Sequence, residues 1–246
     1  MKIVAVYSNK GGVGKTATSV NLAYAFARAG RRTLLCDLDP QGASGFYFRI
    51  KPSKKLGNRA FFTDEKRFTS AIRATDYDNL DLLPANMSFR DFDVFLSRMR
   101  DSGSPLKKAL KPVKADYDLI ILDCPPNISR LSESVFKCSD RVVVPVIPTI
   151  LSERALQQLY AFFDKHGYNS KKIMPFFSMV QGQKKLHRET IKRIHSQYPR
   201  TLKNWIPFSY DIEKMGVHRA PLATYAAKHP ATAAYQVLWQ SIDKKL

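Results

Sequence analysis

A glycine-rich stretch near the N-terminus lies between a short apolar run and a segment with helical periodicity. The apolar run reads KIVAVY from Lys2, which is the length and character of a buried strand. After the glycines, apolar side chains recur at helical spacing from Val20 to Phe26. A strand, a glycine loop and a helix in this order form the local structure in which backbone amides bind phosphate groups. The stretch therefore predicts a phosphate-binding loop.

Short apolar runs alternate with helical patterns along the rest of the 246 residues. Several runs, such as LIIL at 119–122, are apolar throughout, which is typical of parallel strands covered on both faces. Repeated strand–helix–strand order requires right-handed crossovers. We therefore expect an α/β fold in one domain, residues 1–246, with a doubly wound, mostly parallel sheet and helices on both faces. Strands are predicted at 2–8, 33–37, 80–84, 119–123, 142–146, 173–180 and 202–206. Helices are predicted near 15–29, 64–73, 88–100, 128–138, 151–165, 185–197 and 231–243.

The charge of the chain is strongly unbalanced. Lys and Arg number 40 against 21 Asp and Glu, which gives a formal net charge of +19. An excess of this size favours an anionic partner, nucleic acid before an acidic membrane, over a solvated surface that is basic by chance. No apolar run has the length of a membrane span, and the run after Lys2 is too short for a signal peptide. We expect a cytoplasmic protein with three reduced cysteines and no Cys or His metal site.

The glycine stretch differs by one residue from the standard P-loop pattern. Gly14, Lys15 and Thr16 fit the end of that pattern, but Asn9 stands at the position of its first glycine. The glycines allow close approach of backbone N–H groups to phosphate oxygens, while Lys15 can reach the β- and γ-phosphates and Thr16 can ligate Mg²⁺. An incidental glycine turn is the alternative, and seven specified residues in a strand–helix frame disfavour it.

Two further motifs place carboxylates at the ends of apolar runs. The first reads DLDPQG from Asp37, with Asp39 two residues later, and the second is an apolar run that ends in Asp123. The second matches a Walker B pattern, in which the carboxylate holds Mg²⁺ through water. Ligands bind at the carboxyl edge of such sheets. We therefore expect these aspartates near the loop rather than on a solvated surface.

Lys10, which precedes the glycines, has no counterpart in a standard P-loop. The sequence KGGVGKT from Lys10 resembles the deviant Walker A motif of the ParA/MinD family of partition and positioning ATPases, which are deviant P-loop NTPases. The DLDPQG motif, the prolines after Cys124, the segment PVIPTILSERALQQL and the C-terminal segment also resemble this family. The likeness covers nearly the whole chain. It is greatest to the short, Soj-like ParA-type members, because no helix-turn-helix domain precedes the loop.

The resemblance implies the cofactors ATP and Mg²⁺ and a set of site residues. It implies that Lys10 crosses a nucleotide sandwich dimer to the phosphates of the other subunit, that Asp39 positions or activates the attacking water, and that Asp37 supports the magnesium shell. The catalytic residues would be Lys10, Lys15 and Asp39, and the metal residues Thr16, Asp37 and Asp123. The nucleotide-binding residues would be Lys10, Gly11, Gly12, Val13, Gly14, Lys15, Thr16 and Ala17, with Met179, Pro207 and Phe208 at the adenine.

The resemblance also implies partners. The ATP-bound homodimer would bind nucleoid DNA without sequence preference and position a plasmid, a chromosome or a protein organelle such as a carboxysome. Slow hydrolysis would be stimulated by a ParB-like or other cargo-bound adaptor. A MinD-like membrane ATPase is the alternative, although the residues from Trp239 onward do not read as an amphipathic membrane helix, and no membrane partner is expected. A metabolic P-loop enzyme is a third class, for which no acceptor motif is found.

Basic residues dominate positions 181–203, where seven Lys or Arg accompany one acid, Glu189. Helical spacing places three of these cations on one stripe, with apolar residues toward the core. A solvated face normally mixes signs, so this stripe favours phosphate contacts that are nonspecific and salt-dependent. Relatives often carry arginines in the segment that aligns with 206–211, and this chain has none there. Either the DNA footprint is rearranged in this chain, or other cations carry it. The predicted DNA-binding residues are Lys184, Lys185, Arg188, Lys192, Arg193, Lys203, Lys214 and Arg219.

Overall fold

One sheet runs through the molecule in the computed structural model, which describes residues 1–99 and 103–246. Within those ranges its strands are β1 (Lys2–Val6), β2 (Thr33–Asp37), β3 (Arg73–Ala74), β4 (Leu80–Leu83), β5 (Leu119–Asp123), β6 (Arg141–Val146), β7 (Ile173–Val180) and β8 (Trp205–Pro207). Their order across the sheet is β3-β4-β2-β5-β1-β6-β7-β8. All neighbours are parallel except β3, which pairs antiparallel with β4 at one edge. The doubly wound, mostly parallel sheet is confirmed.

The helices follow the strands along the chain. They are α1 (Lys15–Arg28), α2 (Ala43–Tyr47), α3 (Asn58–Thr63), α4 (Glu65–Thr69), α5 (Phe92–Arg98), α6 (Pro105–Ala109), α7 (Arg130–Cys138), α8 (Ile150–Lys165), α9 (Lys185–Gln197), α10 (Tyr210–Glu213), α11 (Met215–His218), α12 (Leu222–Tyr225) and α13 (Pro230–Asp243). Short 3₁₀ turns occupy Met87–Asp91, Lys111–Val113 and Ser170–Lys172. None of these helices combines the length and apolar character that a bilayer crossing needs.

The strand predictions at 33–37, 119–123 and 173–180 match β2, β5 and β7, because these runs are apolar on both faces. The helix predicted at 64–73 is wrong in its bounds. Asp64 accepts the N–H of Arg67 and so caps α4, which ends at residue 69, while a separate helix, α3, precedes it. The helix predicted at 88–100 opens as a 3₁₀ turn before α5, and residue 100 lies outside the described residues.

Helices cover both faces of the sheet, as strand β1 shows. Ile3 and Ala5 lie in one buried apolar cluster, and Val4 and Val6 lie in another. The first cluster contains side chains of α3 and of α5 to α8, and the second contains side chains of α1 and α13. Each face therefore has its own core, which accounts for the apolar runs in the sequence.

The central position of β1 places the glycine loop in the middle of the carboxyl edge of the sheet. Beyond the last residue of β1, the N–H of Tyr7 donates to the carbonyl of Val143 in β6 at 3.0 Å. On the other side, the N–H of Cys124 donates to the carbonyl of Val6 at 3.3 Å. The loop that leaves β1 therefore opens between the ends of two flanking strands, which is where doubly wound sheets bind ligands.

Candidate phosphate site and basic surface

The glycine loop presents a run of backbone N–H groups without protein acceptors. The first backbone bond of α1 runs from the N–H of Thr18 to the carbonyl of Gly14 at 3.0 Å. In the described residues, none of the seven N–H groups from Gly11 to Ala17 donates to a protein atom. These donors lie at the N-terminus of a 14-residue helix, where the helix dipole adds positive potential. The arrangement suits several oxygens of a polyphosphate at once.

Both lysines of the motif fold against their own chain. The Nζ of Lys15 donates to the carbonyl oxygen of Lys10 at 3.2 Å, and its side chain is largely buried. Burial lowers the pKa of Lys15, against the raising effect of Asp123 and then Asp39. The Nζ of Lys10 donates to the Oγ of Ser152 at 3.0 Å. Lys10 is thus bound within its own subunit, at the first turn of α8.

Asp37 and Asp123 face each other as register partners in the adjacent strands β2 and β5. Both are buried, with 0% and 1% of their surface exposed. Burial, and then the charge of Asp123, raises the pKa of Asp37 well above its usual range. Burial likewise raises the pKa of Asp123 to about 6, although the hydroxyls bound to it work in the opposite direction. Two buried carboxylates on adjacent strands repel each other, so a cation nearby would stabilise their charged forms.

Hydroxyl and amide donors fix both carboxylates. Asp123 accepts the hydroxyls of Ser19 and Ser44, each at 3.0 Å, and the hydroxyl of Thr16 lies close enough to lower the pKa of Asp123. Asp37 accepts the N–H groups of Asp39 and Ser44, each at 3.1 Å. Asp37 therefore shapes the loop that carries Asp39, while Asp123 and Thr16 form the oxygen pair next to the glycine loop. This donor set is of the kind that Mg²⁺ prefers.

Asp39 lies at the edge of the site and is half-buried. One of its oxygens accepts the N–H of Gln41 at 3.0 Å, which holds the side chain over its own turn. Its charge acts on Lys15, so the two groups belong to the same cluster. The structure thus brings together Lys10, Lys15, Thr16 and the three aspartates that the sequence predicts.

The predicted adenine residues lie on the β7–β8 side of the loop. A Cβ on Gly14 would lie 3.2 Å from the Oγ of Ser178 and 3.6 Å from the Cε of Met179. Met179 itself has a left-handed φ of 54°. Pro207 pairs with Val180 in the sheet, and Phe208 is 51% exposed. Of the three predicted adenine residues, Met179 is therefore the one shown next to the glycine loop.

The predicted basic stripe lies on the exposed face of α9. Lys184, Lys185, Arg188 and Lys192 are all exposed, while Ile194 on the same helix is fully buried. Lys185 lies 3.8 Å from Glu189, and Arg188 donates to the carbonyls of residues 182 and 183. These contacts leave most of the stripe free for a phosphate partner.

Other predicted DNA residues are held at the surface by contacts within the protein. Arg193 forms two bonds to the buried Glu153 of α8, at 2.6 and 3.1 Å. Lys214 lies 3.3 Å from Asp211, and Arg219 donates to the carbonyl of Phe46 at 3.0 Å. Lys203 is exposed after the end of α9. These contacts reduce the number of free cations on the predicted surface, chiefly through Arg193.

Sequence reasoning missed three serines of the site. Ser19 follows Thr16 by three residues on α1, so helical spacing places it on the same face and could have revealed it. Ser44 and Ser152 reach Asp123 and Lys10 from segments far away in the chain. Only the folded structure brings them together.

Comparison with known proteins identifies relatives of this chain. A family profile described as an AAA domain matches residues 1–175. The sporulation initiation inhibitor protein Soj of Bacillus subtilis is 31% identical over 240 residues, which is 95% of each chain. The chromosome partitioning protein ParA of Myxococcus xanthus is 28% identical over 251 residues, which is 99% of this chain and 88% of that one.

Solved structures share the fold. The ATP complex of a McdA variant from Cyanothece gives a TM-score of 0.85 at 19% identity, covering 99% of this chain and 96% of that one. Cobyrinic acid a,c-diamide synthase from Mycobacterium smegmatis, with bound ADP and magnesium, gives 0.81 at 24% identity, covering 99% and 94%. At these identities the two structures establish the architecture and not the activity.

Proposed function

Because the chain belongs to the ParA/MinD family of partition and positioning ATPases, we propose that it binds ATP with Mg²⁺ at residues 10–16 and closes into a sandwich dimer on DNA. One observation carries this proposal. The seven free N–H groups from Gly11 to Ala17 lie beside the buried pair Asp37 and Asp123. Donors for a polyphosphate and oxygens for its cation are thus adjacent, as nucleotide hydrolysis requires.

The chain's own residues bind and neutralise the triphosphate. The loop amides and the helix N-terminus hold phosphate oxygens, and Lys15 lies within the same cluster to meet the β- and γ-phosphates. Thr16 and Asp123 would hold Mg²⁺, with Asp37 behind them. The ion would neutralise charge on the β- and γ-oxygens.

Asp39 is proposed to orient the water that attacks the γ-phosphorus. It accepts a hydrogen bond from that water while the bond between the γ-phosphorus and the ADP oxygen breaks. Positioning and charge neutralisation, rather than covalent catalysis, account for most of the rate enhancement in phosphoryl transfer. Because Asp39 also accepts the N–H of Gln41, its turn sets the direction of the carboxylate.

Lys10 is proposed to change partners when the dimer forms. In the single subunit its Nζ binds Ser152. In the dimer it reaches the phosphates of the second subunit, so that ATP joins two copies. The dimer then presents the exposed face of α9 twice, which raises DNA affinity by multivalency.

The proposed cycle positions cargo on the nucleoid. The α9 cations contact phosphates without reading bases, so binding is independent of sequence and weakens with salt. A cargo-bound adaptor stimulates slow hydrolysis and releases the dimer. The cargo is a plasmid, a chromosome or a protein organelle such as a carboxysome.

The membrane alternative finds no support in α13. Its apolar side chains, among them Tyr235, Leu238 and Ile242, are buried against the sheet, so this helix has no free apolar face for a lipid surface. The match to a cobyrinic acid synthase leaves a metabolic enzyme compatible with the fold, but no acceptor site accompanies the phosphate loop among the motifs found.

Retention on arbitrary duplex DNA and on anionic liposomes, with ATP or ADP, tests the proposal. The wild type should bind DNA with ATP alone and should not bind liposomes. Asp39→Ala should bind DNA with ATP and hydrolyse none, whereas Lys15→Ala should lose ATP and DNA together. Nucleotide-independent DNA binding, or ATP-dependent binding to liposomes only, would refute the DNA-positioning function.

A further inference from the structure

A concave basic surface lies at the amino edge of the sheet, opposite the glycine loop. It encloses about 380 Å³ where β6 and β7 begin. We call it the amino-edge basic site and define it by its cations, Arg141, Lys171, Arg200, Lys244 and Lys245.

Four separate segments of the chain supply these cations. Arg141 is the first residue of β6, and Lys171 belongs to the 3₁₀ turn before β7. Arg200 lies between α9 and β8, in a connection held by the bond from the N–H of Leu202 to the carbonyl of Pro175 at 2.8 Å. Lys244 and Lys245 follow α13. The fold therefore gathers charges that are far apart in sequence.

No carboxylate side chain compensates for these charges. Among the described residues, none of the five cations forms an ion pair, and none of the lining residues is Asp or Glu; the anionic group among the lining residues is the terminal carboxylate of Leu246. The acids next to the site in sequence face elsewhere, since Asp140 accepts the N–H of Ile3 at 2.8 Å and Asp243 pairs with Arg31. A favourable helix dipole accounts for lysines after α13. It does not account for the other three cations.

We propose that the amino-edge basic site binds phosphate groups of a nucleic-acid backbone, as a second contact beyond the exposed face of α9. The inference rests on the proposed function for its source of phosphate. Its lining contains no aromatic side chain on which a base would stack, which favours backbone over base recognition. Of its three apolar members, Ile173 and Met174 are buried and Leu246 is half-buried, so they offer little apolar area to a lipid surface. Arg200 and the exposed Lys203 continue the cationic surface from α9 toward the site.

The test compares two triple-alanine variants of equal charge change. One replaces Lys171, Lys244 and Lys245. The control replaces Lys107, Lys111 and Lys114, which are exposed and do not line the site. DNA affinity of the ATP-bound protein is measured from 50 to about 300 mM salt. Each lost phosphate contact lowers the slope of log K against log salt by about 0.9. We expect the site variant to lose two to three units of slope and about tenfold or more in affinity, with basal ATP hydrolysis and the unfolding midpoint unchanged.

A single substitution, Arg200→Ala, provides an independent check and should lower the slope by about one unit. If the site variant and Arg200→Ala bind DNA as the control does, the inference is wrong while the proposed function stands. If the wild type shows no ATP-dependent DNA binding, the proposed function fails as well. Loss of binding to anionic liposomes alone would assign the site to a membrane and overturn the inference.

Discussion

Replacing each loop glycine by alanine in turn separates the glycines that the fold needs from the one that a ligand needs. Gly12 and Gly14 have left-handed φ angles of 70° and 86°, whereas Gly11 does not lie in that region. A Cβ on Gly11 or Gly12 would meet no atom within 4 Å, but on Gly14 it would lie 3.2 Å from the Oγ of the buried Ser178. The three substitutions therefore differ in backbone strain and in steric contact.

The expected changes in unfolding free energy follow from these differences. Gly12→Ala should cost about 1 kcal/mol, because the left-handed penalty of about 1–2 kcal/mol is partly offset by the lower entropy of the unfolded chain. Gly14→Ala adds overpacking against Ser178, for a total of about 2–4 kcal/mol. Gly11→Ala should be neutral or stabilising by less than about 1 kcal/mol. For a chain of this size, unfolding midpoints should fall by about 2–4 °C for Gly12→Ala and about 4–16 °C for Gly14→Ala.

Calorimetry without nucleotide measures the unfolding midpoints, and titration with Mg·ATP measures affinity. Because nothing in the protein occupies the space beside Gly11, a glycine there serves the close approach of phosphate to the backbone. Gly11→Ala should therefore keep its midpoint and lose tenfold or more in ATP affinity. Wild-type ATP affinity in Gly11→Ala would refute the assignment of these amides to the triphosphate.

Three further outcomes are expected. Arg193→Ala should lower the unfolding midpoint measured without DNA, since it leaves the buried carboxylate of Glu153 unpaired; an unchanged midpoint would contradict the internal role of this arginine. Ser152→Ala should strengthen ATP-dependent dimerisation up to about tenfold in sedimentation, because it removes the bond that holds Lys10 in its own subunit; weaker dimerisation would contradict that role. Burial, and then Lys184, lowers the pKa of His187, so the folded protein binds fewer protons there than the unfolded chain. The free energy of unfolding should therefore be highest above pH about 6.5 and should fall as the pH drops through the lowered pKa. The loss should be smaller in His187→Gln.

Local patterns predicted the elements whose two faces are both buried. Apolar residues fill the interiors of β2 and β5 and all of β7 except Ser178, so the bounds of these strands follow from the sequence. The two residues of β3 are both exposed and form a strand only by pairing with β4, which no local pattern indicates. The short helices α10 to α12 depend on contacts such as the bond from the N–H of Leu222 to the Oδ1 of Asn21 at 2.9 Å.

In the candidate site too, the sequence predicts contiguous features but not contacts between distant segments. The glycine loop is contiguous, and its strand–helix setting was readable from residues 2–28. Two contacts were not readable, the Ser44 hydroxyl on Asp123 and the Ser152 hydroxyl on Lys10, because each joins residues far apart in the chain. Arg193 matched a basic helical pattern, yet Glu153, 40 positions earlier, binds its guanidinium. Charge patterns in sequence therefore predict a surface better than they predict which cations are free.

In the proposed mechanism, the glycine loop binds a triphosphate that then joins two copies of the chain. This dimerisation can be measured by sedimentation of Asp39→Ala at saturating Mg·ATP, with ADP and the variant that also carries Lys10→Ala as controls. Asp39→Ala should sediment with twice the mass of a single chain in ATP, and with the mass of a single chain in ADP or when Lys10 is also replaced. The mass of a single chain under saturating ATP would contradict it.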